Sequence, residues 1–438
     1  MKLKNILISA AVAALCTPLS AQKLIADLDG YHLSVKLDHA DCIYSVNEPI
    51  VASVTLTLNG EPLDAGILYT KSKDNYTPTI ERGELALTGG KATVTMSLDE
   101  PGFMMLRITY KTPKGGTLSQ LVGAGVDPYS IGRSLPEPDD FQEYWTGQRA
   151  LQAAIPENIR LTPVPSKKRG VIAYDVQADC LAGNFSGFIA IPENAAPKSL
   201  PALVSCHGAG VASSRLAIAA KWAEQGIMAI DFNVHGLPND QPRDYYRALE
   251  SRGGELHQYY YTGTSDRDSV FFRRMILRLM KALDIICARP EWDGEHLIAF
   301  GRSQGGAQAL IAGGIDPRVK LVCAEIPALC DLSGAVAGRS SGWPRYQQHA
   351  KEQFPARDQE AVRYVDAMNF APHIKGISFV TCGFIDLVCP PTGVFAVYNT
   401  IPGEKHILHN TDTGHITTKT GEDYVRQAVK DYLEGKLQ

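Results

Sequence analysis

The sequence lacks the features that mark nucleic-acid-binding and metal-binding proteins. Its 438 residues include 43 lysines and arginines against 47 aspartates and glutamates, for a formal net charge of −4, and the basic residues form no patch. Because a basic surface is what attracts a phosphate backbone, nucleic acid is not an expected partner. The nine cysteines contain no CxxC motif, so no structural metal site is predicted, and their spacing assigns no disulfide pairs.

The sequence also lacks a predicted membrane span. Two lysines among the first four residues precede an apolar run, and small residues follow as far as Ala21, a pattern typical of a cleaved secretory signal. Residues 1–21 are therefore predicted to be the signal peptide of a secreted, periplasmic protein. A lipoprotein anchored at Cys16 is the alternative, but Leu15 is a poor residue at the position before such a cysteine. Cleavage after Ala21 leaves 41 basic and 47 acidic residues, a net charge of −6.

The length of the chain exceeds the usual size of a single core, so two domains are expected. Residues 22–130 contain short runs in which polar and apolar side chains alternate, such as VASVTLTL, where Val54 and Leu56 would be buried and Thr55 exposed. Turn signals separate the runs: Asn59-Gly60, Gly89-Gly90 and Gly115-Gly116. The pattern predicts a small all-β, immunoglobulin-like domain without an evident catalytic group, either a spacer or packing domain or a glycan-binding module.

From residue 131 onward, strands alternate with helices. Apolar runs predict strands at 172–178, 184–191, 201–206, 227–232, 297–300, 319–323, 377–382 and 406–409. A long helix has its core-facing positions at steps of three and four residues, namely Phe272, Ile276, Leu279, Leu283 and Ile286. The last helix is predicted over 423–433. This alternation predicts an α/β domain over residues 131–438, with a mostly parallel sheet and helices on both faces.

The stretch 296–314, HLIAFGRSQGGAQALIAGG, is the most informative part of the sequence. A strand at 297–300 leads into a turn at 301–305 with the pattern G-x-S-x-G, called the elbow below, and then into a helix at 306–312. A serine on such a turn is pushed out above the sheet edge, and the flanking glycines are needed because a Cβ atom there would collide with neighbouring backbone. The context favours Ser303 as a nucleophile over the alternative of a plain structural turn.

A serine hydroxyl is a weak nucleophile at neutral pH and needs a base, which a carboxylate in turn orients. His415 is the predicted base because its loop-like stretch, DTGHITTK, lies between the last strand and the last helix and could lean over the elbow. The other histidines after Ser303 are weaker candidates: His349, His373, His406 and His409. Of these, His406 and His409 lie in a strand-like run and are expected to pack or to face solvent.

Asp386 is the predicted acid. It follows the apolar run ISFVTCGF and so emerges at the carboxyl end of a sheet strand, where catalytic side chains collect in open α/β folds. The rival carboxylates are Asp331, Asp366 and Asp412. Asp366 lies in a helical segment and Asp412 in a turn, so both are expected to be cap or surface residues.

The negative oxygen that forms when the serine attacks a carbonyl needs hydrogen-bond donors. The predicted donors are the backbone N–H groups of Gln304, which follows the serine, and of Ala209, in the CHGAG stretch that follows an earlier strand. The alternative for CHGAG is a tight turn capped by His207.

These residues resemble the acetyl xylan esterase and cephalosporin C deacetylase family, carbohydrate esterase family seven of the α/β hydrolases. The matching stretches are GRSQGG at 301–306, EIPALCDL at 325–332, YVDAMNFAPHIK at 364–375 and GFIDLVCPPTGVFAVYN at 383–399. The resemblance begins near residue 135 and implies an α/β-hydrolase catalytic domain in which Ser303 attacks and Asp386 orients His415. It also implies that the amides of Ala209 and Gln304 hold the oxyanion. The chemistry requires no cofactor or metal.

Three positions depart from the family pattern. Ala209 stands where members usually carry tyrosine after the HG pair, Asn233 replaces the arginine of a D-x-R-G-Q-G motif, and Ile416 replaces a glutamate after the histidine. These changes are compatible with the chemistry but leave the identity of the substrate open. A different acetylated sugar, or a bulkier acyl or alcohol group, is as compatible with the sequence as xylan.

The sequence therefore predicts a secreted serine esterase that removes acetyl groups from carbohydrates. The alternatives are a secreted peptidase of the prolyl oligopeptidase type, which would share the elbow and the triad order, and an inactive glycan-binding protein. Residues 331–370 are predicted to lie over the pocket as an insertion, where Trp343 either stacks on a sugar ring or packs within the protein. The expected partners are an acetylated oligosaccharide or another small acyl ester and, because family members often form closed oligomers, further copies of the chain.

Overall fold

The structure is a computed structural model that describes residues 24–74, 79–346 and 356–437. The predicted signal peptide at residues 1–21 and His349 lie outside the described residues. Within these ranges, no helix has the length and apolar character needed to cross a membrane.

The described part of residues 27–126 forms two five-stranded sheets. The strands are β1 (Asp27–Leu28), β2 (Tyr31–Leu37), β3 (Ile43–Tyr44), β4 (Ile50–Leu58), β5 (Glu61–Pro62), β6 (Gly66–Lys73), β7 (Thr79–Ala86), β8 (Lys91–Met96), β9 (Gly102–Lys111) and β10 (Thr117–Val126). One sheet has the order β1-β2-β4-β5 with β8 also paired to β4, and the other has the order β3-β10-β9-β6-β7. The two sheets share one apolar cluster. The predicted alternation is confirmed in β4, where Val54 and Leu56 are buried and Thr55 is partly exposed.

A nine-stranded sheet forms the centre of the described residues from 160 onward. Its strands are β11 (Arg160–Val164), β12 (Val171–Cys180), β13 (Gly183–Pro192), β14 (Leu200–Cys206), β15 (Met228–Phe232), β16 (Trp292–Arg302), β17 (Leu321–Glu325), β18 (Ile377–Gly383) and β19 (Lys405–Asn410). The order is β11-β12-β13-β15-β14-β16-β17-β18-β19. Neighbours from β11 to β15 pair antiparallel, and all pairs from β15 to β19 are parallel.

Helices cover both faces of this sheet, as the sequence predicts. They are α1 (Phe141–Ala153), α2 (Leu216–Ala223), α3 (Arg243–Glu250), α4 (Phe271–Cys287), α5 (Gln304–Ile315), α6 (Ala356–Arg363), α7 (Ala367–Phe370), α8 (Pro391–Thr400) and α9 (Lys419–Leu433). Because side chains alternate along a strand, Ala202 and Val204 of β14 pack with α4 and α5, whereas Leu203 packs in a second cluster with α2 and α9. The five positions predicted as the core-facing stripe of α4 are fully buried.

Some predicted boundaries are wrong by a few residues. The strand expected at 319–323 is β17, Leu321–Glu325, and the strand expected at 297–300 is the end of the longer β16. The last helix begins at Lys419 rather than at 423 because the Thr418 side chain caps it, accepting a hydrogen bond from the Gly421 amide at 3.0 Å.

The N-terminal sheets pack directly against the segment that follows β18. Phe103 of β9 lies edge-on to Phe384, with ring centroids 4.9 Å apart. A Cβ atom on Gly123 of β10 would lie 2.3 Å from the Phe384 carbonyl oxygen, so glycine permits this close approach. A small buried cluster joins the same two parts of the chain: Met105, Leu121 and Ile385.

Candidate active site

Ser303 lies at the junction of β16 and α5 with a backbone conformation that serine rarely adopts, φ 56° and ψ −120°. Backbone hydrogen bonds fix the residue on both sides. Its amide donates to the Glu325 carbonyl at 2.9 Å, and its carbonyl accepts from the amides of Ala307 and Ala328, both at 3.0 Å. The serine is therefore held on a sharp strand-to-helix turn at the carboxyl end of a central strand.

The glycines of the elbow are a steric requirement, which confirms the prediction from the sequence. A Cβ atom on Gly301 would lie 2.2 Å from the Gly305 carbonyl oxygen, and one on Gly305 would lie 2.0 Å from the Cys206 carbonyl oxygen. Both distances are far below van der Waals contact. The backbone of the elbow thus packs directly against the end of β14, with no side chain between them.

His415 reaches Ser303 from the loop between β19 and α9. Its Nε2 lies 2.8 Å from the Ser303 Oγ. The loop approaches β18 closely, since a Cβ atom on Gly383 would lie 2.4 Å from the Thr413 carbonyl oxygen. The Ile385 amide donates to the same carbonyl at 3.1 Å. These contacts tie the loop that carries the imidazole to the segment after β18.

Asp386 lies in that segment and contacts the other nitrogen of the imidazole. The His415 Nδ1 is 2.7 Å from the Asp386 Oδ2, while Oδ1 accepts hydrogen bonds from the amides of Val388 at 2.7 Å and Cys389 at 2.8 Å. The carboxylate is 1% exposed, so water does not compete for these bonds. An acceptor-only carboxylate at Nδ1 favours the tautomer with its proton there, which leaves the Nε2 lone pair facing the serine.

The two predicted oxyanion donors lie near the serine. Gln304 is the first residue of α5, where a helix leaves its amide without an intrahelical partner. The loop of residues 207–210, called the oxyanion loop below, passes the elbow at Gly208, where an added Cβ atom would be 3.9 Å from the Ser303 Cβ. Ala209 follows, and Gly208, Ala209 and Ser303 all line a cleft of about 940 Å³.

Sequence reasoning missed Tyr259, whose hydroxyl contacts both the oxyanion loop and the first residue of α5. Tyr259 begins a short 3-10 turn, Tyr259–Tyr261, and its hydroxyl is hydrogen-bonded to Gly210 and to the Gln304 side chain. These partners lie 49 and 45 residues away along the chain. The run YYY is the only local signal, and it gives no indication of either contact.

The rival histidines lie in other contacts. His373 is hydrogen-bonded to Glu137 at 2.8 Å, and His406 to Glu404 at 2.8 Å. His409 stacks on the Phe384 ring, with centroids 4.9 Å apart. None of these described histidines is paired with Ser303.

The rival carboxylates also have other partners. Asp366 caps α7 by accepting from the Met368 amide at 2.9 Å, and Asp331 is hydrogen-bonded to the Ser134 amide at 3.1 Å. Asp412 is exposed in a turn. The predicted cap and surface environments of Asp366 and Asp412 are thus the observed ones.

Trp343 is partly buried and packs among aromatic side chains. Its ring centroid lies 5.1 Å from that of Tyr260, 5.8 Å from Phe272 and 6.5 Å from Tyr259. Stacking of this ring on a sugar stays a prediction. Residues 347–355 of the predicted insertion lie outside the described residues.

The sheet and the site together define a class of enzyme. A mostly parallel sheet that carries a serine on a strand-to-helix elbow, followed along the chain by an aspartate and then a histidine, is the arrangement of the α/β hydrolases. The family model described as acetyl xylan esterase (AXE1) matches residues 129–435. The chain therefore belongs to the acetyl xylan esterase family.

Individual relatives agree with this membership. The chain is 27% identical over 392 residues to the acetyl esterase Axe7A of Xylanibacter ruminicola, a match that covers 87% of this chain and 86% of the relative. Among solved structures, the acetyl xylan esterase from Paenibacillus sp. R4 is 27% identical with a TM-score of 0.60, covering 69% of this chain and 98% of the other. Acetyl xylan esterase 1 from Thermoanaerobacterium sp. JW/SL YS485 is 24% identical with a TM-score of 0.60, covers 68% and 96% of the two chains, and shares the fold.

Family membership makes the protein a carboxylic ester hydrolase. It favours an esterase over the peptidase and the inactive glycan-binding protein that the sequence left open. The match to the Xylanibacter protein spans more residues than the family match at 129–435, so it extends into the N-terminal sheets. The two solved structures, in contrast, are almost completely covered by about two thirds of this chain.

Proposed function

We propose that the protein is a secreted serine esterase that removes acetyl groups from carbohydrates, with Ser303 as nucleophile, His415 as base and Asp386 as the orienting acid. The observation that carries the proposal is the continuous hydrogen-bonded chain from Asp386 through His415 to Ser303, with distances of 2.7 and 2.8 Å. Family membership supports the substrate class.

In the first half of the reaction, the Ser303 Oγ attacks the carbonyl carbon of the acetyl ester. The His415 Nε2 takes the hydroxyl proton, and Asp386 stabilises the imidazolium that forms. The carbonyl electron pair moves onto oxygen, where the amides of Ala209 and Gln304 donate to it. Each such donor contributes about 10²- to 10³-fold to the rate.

Collapse of the tetrahedral intermediate breaks the bond between the carbonyl carbon and the sugar oxygen. His415 gives its proton to that oxygen, the sugar leaves as an alcohol, and Ser303 is left acetylated. A water molecule then loses a proton to His415 and attacks the carbonyl carbon of the acetyl-serine. His415 returns that proton to the Ser303 Oγ as the bond between the acyl carbon and Oγ breaks, which restores the hydroxyl and releases acetic acid, which ionises to acetate. These steps use no metal or cofactor.

The proposal extends to the organisation of the chain. The charge and apolar pattern of residues 1–21 supports secretion to the periplasm. We place an immunoglobulin-like β domain at 22–130 and the catalytic domain at 131–438. The start of the family match at residue 129 supports this boundary.

Replacement of the nucleophile tests the proposal. The purified protein should hydrolyse p-nitrophenyl acetate and release acetate from acetylated xylo-oligosaccharides and acetylated monosaccharides, but should not cleave a peptide anilide.

Ser303→Ala should lower kcat for p-nitrophenyl acetate by about 10⁴-fold or more, because no other hydroxyl contacts the His415 Nε2 among the described residues. Ser199→Ala, which removes an exposed hydroxyl bonded to the Ala196 carbonyl, is the control and should keep the wild-type rate. Wild-type ester hydrolysis by Ser303→Ala would refute the assignment.

A further inference from the structure

We propose that Tyr259 is a positioning residue that holds the two halves of the oxyanion hole together. The proposal rests on the function proposed above, because it assigns Tyr259 a role in placing the amides of Ala209 and Gln304. Neither the sequence motif nor the family pattern described above includes this residue.

The Tyr259 hydroxyl forms a bridge between the two halves. It accepts a hydrogen bond from the Gly210 amide at 3.1 Å and donates one to the Gln304 Oε1 at 2.8 Å. Gly210 directly follows one proposed donor, and Gln304 is the residue that carries the other. One hydroxyl therefore links the oxyanion loop to the first turn of α5.

The peptide groups around Gly210 are fixed from a second direction. The Gly210 carbonyl lies 3.1 Å from the His235 Nε2, which donates to it. Burial lowers the pKa of His235 to about 4, so the ring is neutral and has a single N–H to place there. Gly210 has φ 123°, a conformation that favours glycine. Tyr259 and His235 thus hold the amide and the carbonyl of the same residue.

Two of the three residues of the bridge are buried. Tyr259 is 3% exposed and the Gln304 side chain is fully buried. The Tyr259 ring packs edge-on against His235, with centroids 4.6 Å apart, and lies tilted against Phe271, with centroids 4.5 Å apart. Burial raises the pKa of the Tyr259 hydroxyl well above its usual range, so the group stays a donor at every working pH. In such surroundings a hydrogen bond is hard to replace.

The sequence gives a reason why this support is needed. Ala209 is exposed and has only a methyl group, so its side chain cannot anchor the oxyanion loop. A donor that is misplaced by a fraction of an ångström loses much of its contribution to the transition state. The hydroxyl of Tyr259 supplies the missing anchor from a different part of the chain.

Tyr259→Phe tests the proposal because it removes the hydroxyl and keeps the ring. We expect kcat for p-nitrophenyl acetate to fall by about 10- to 100-fold with KM changed by less than about threefold, since the donors act on the transition state. Binding of phenylboronic acid, which forms a tetrahedral adduct on a reactive serine, should weaken by a similar factor. The melting temperature and the circular dichroism spectrum show whether the variant is folded.

Tyr144→Phe is the matched control. Tyr144 is also buried, and its hydroxyl also has two partners, the Arg267 carbonyl and the Asp268 carboxylate, both at 3.0 Å. It lies outside the site, so kcat and boronic acid binding should stay at wild-type values. A purely structural effect of losing a tyrosine hydroxyl would instead lower stability alike in both variants and leave kcat unchanged.

A second variant keeps the proposal testable if Tyr259→Phe is poorly folded. Gln304→Met removes the acceptor of the Tyr259 hydroxyl but retains the backbone amide, and it should lower kcat in the same way. In the double variant the two effects should not add, because both single changes break the same bridge.

Wild-type kcat and boronic acid affinity in folded Tyr259→Phe, or fully additive effects in the double variant, would overturn the proposal. Activity in Ser303→Ala would instead refute the proposed function itself, so the two failures are distinguishable.

Discussion

The carboxylate of Asp386 has a specific partner for each oxygen. Oδ1 accepts from the amides of Val388 and Cys389, and Oδ2 lies against the His415 Nδ1. Two backbone donors at one oxygen fix the rotation of the carboxylate about its Cβ–Cγ bond. The residue therefore determines which nitrogen of His415 carries the proton.

Asp386→Asn should abolish most of the activity without unfolding the protein. The asparagine oxygen will face the two amides, because an amide NH₂ cannot accept from them, and the NH₂ will then face the His415 Nδ1. This forces the imidazole proton onto Nε2, where it blocks proton transfer from Ser303, and kcat should fall by about 10⁴-fold. Asp412→Asn, in an exposed turn, should leave kcat for p-nitrophenyl acetate unchanged. Equal activity in both variants would contradict this role of Asp386.

The partly buried His235 should make the stability of the protein depend on pH. Its pKa is about 4 in the folded state and near 6.5 in an unfolded chain. As pH falls from 6.5 to 4, the unfolded chain gains a proton that the folded protein does not, so stability present at neutral pH is lost. The loss between pH 7 and pH 4.5 is about 2.5 kcal/mol from this residue.

Urea unfolding at the two pH values measures this contribution. His235→Gln removes the titrating group and keeps a side-chain donor, so its free energy of unfolding should fall less on acidification than that of the wild type. Ser199→Ala, which removes no titratable group, is the control and should show the wild-type difference. If His235→Gln and the wild type lose the same stability on acidification, the inferred neutral state of His235 is wrong.

At the scale of the strands and helices, the sequence predicts best where a local pattern determines the structure. The apolar run before Asp386 predicts β18 to within one residue, and the elbow glycines predict the turn around Ser303. The sequence does not locate the start of α9 because Thr417, Thr418 and Thr420 can each cap a helix, and the pattern does not distinguish Thr418, which does so. Tyr259 was missed because its two partners are distant along the chain and no periodicity relates them.

The close approach of β10 to the segment that carries Asp386 should be sensitive to a single side chain. Gly123→Val would place atoms within van der Waals contact of the Phe384 carbonyl and push the two elements apart. Displacement of Asp386 by about 1 Å can cost about 10²-fold in rate, so kcat and the melting temperature should both fall. Gly132→Ala is the control, because no atom lies within 4 Å of the added Cβ, and it should match the wild type in both measurements. Normal kcat in Gly123→Val would show that this contact does not position the acid.

The molecule as a whole should unfold as one unit. Phe103 of the N-terminal sheets belongs to the same buried cluster as Phe384 and Phe395 of the α/β part. Asp74 is 1% exposed and accepts hydrogen bonds from the Thr392 hydroxyl and, at 3.0 Å, from the Ser340 amide. Apolar and polar contacts thus both cross between the two parts.

Asp74→Ala tests this coupling. Loss of the two hydrogen bonds should cost about 1–3 kcal/mol and lower the melting temperature of the whole protein, with a single transition in calorimetry before and after the change. Asp99→Ala, at an exposed position of the same N-terminal part, should have no effect. Two separate transitions, of which only the first shifts, would show that the parts unfold independently.

The contact between the N-terminal sheets and the residues around Asp386 has a consequence for synthesis and for engineering. Residues 27–126 are synthesised before residue 386. The N-terminal sheets are therefore already outside the ribosome when the segment that carries Asp386 emerges from it. A shortened protein that starts near residue 131 would keep Ser303, Asp386 and His415 but lose the sheets that contact residues 384 and 385, so we expect it to hydrolyse esters more slowly than the full chain.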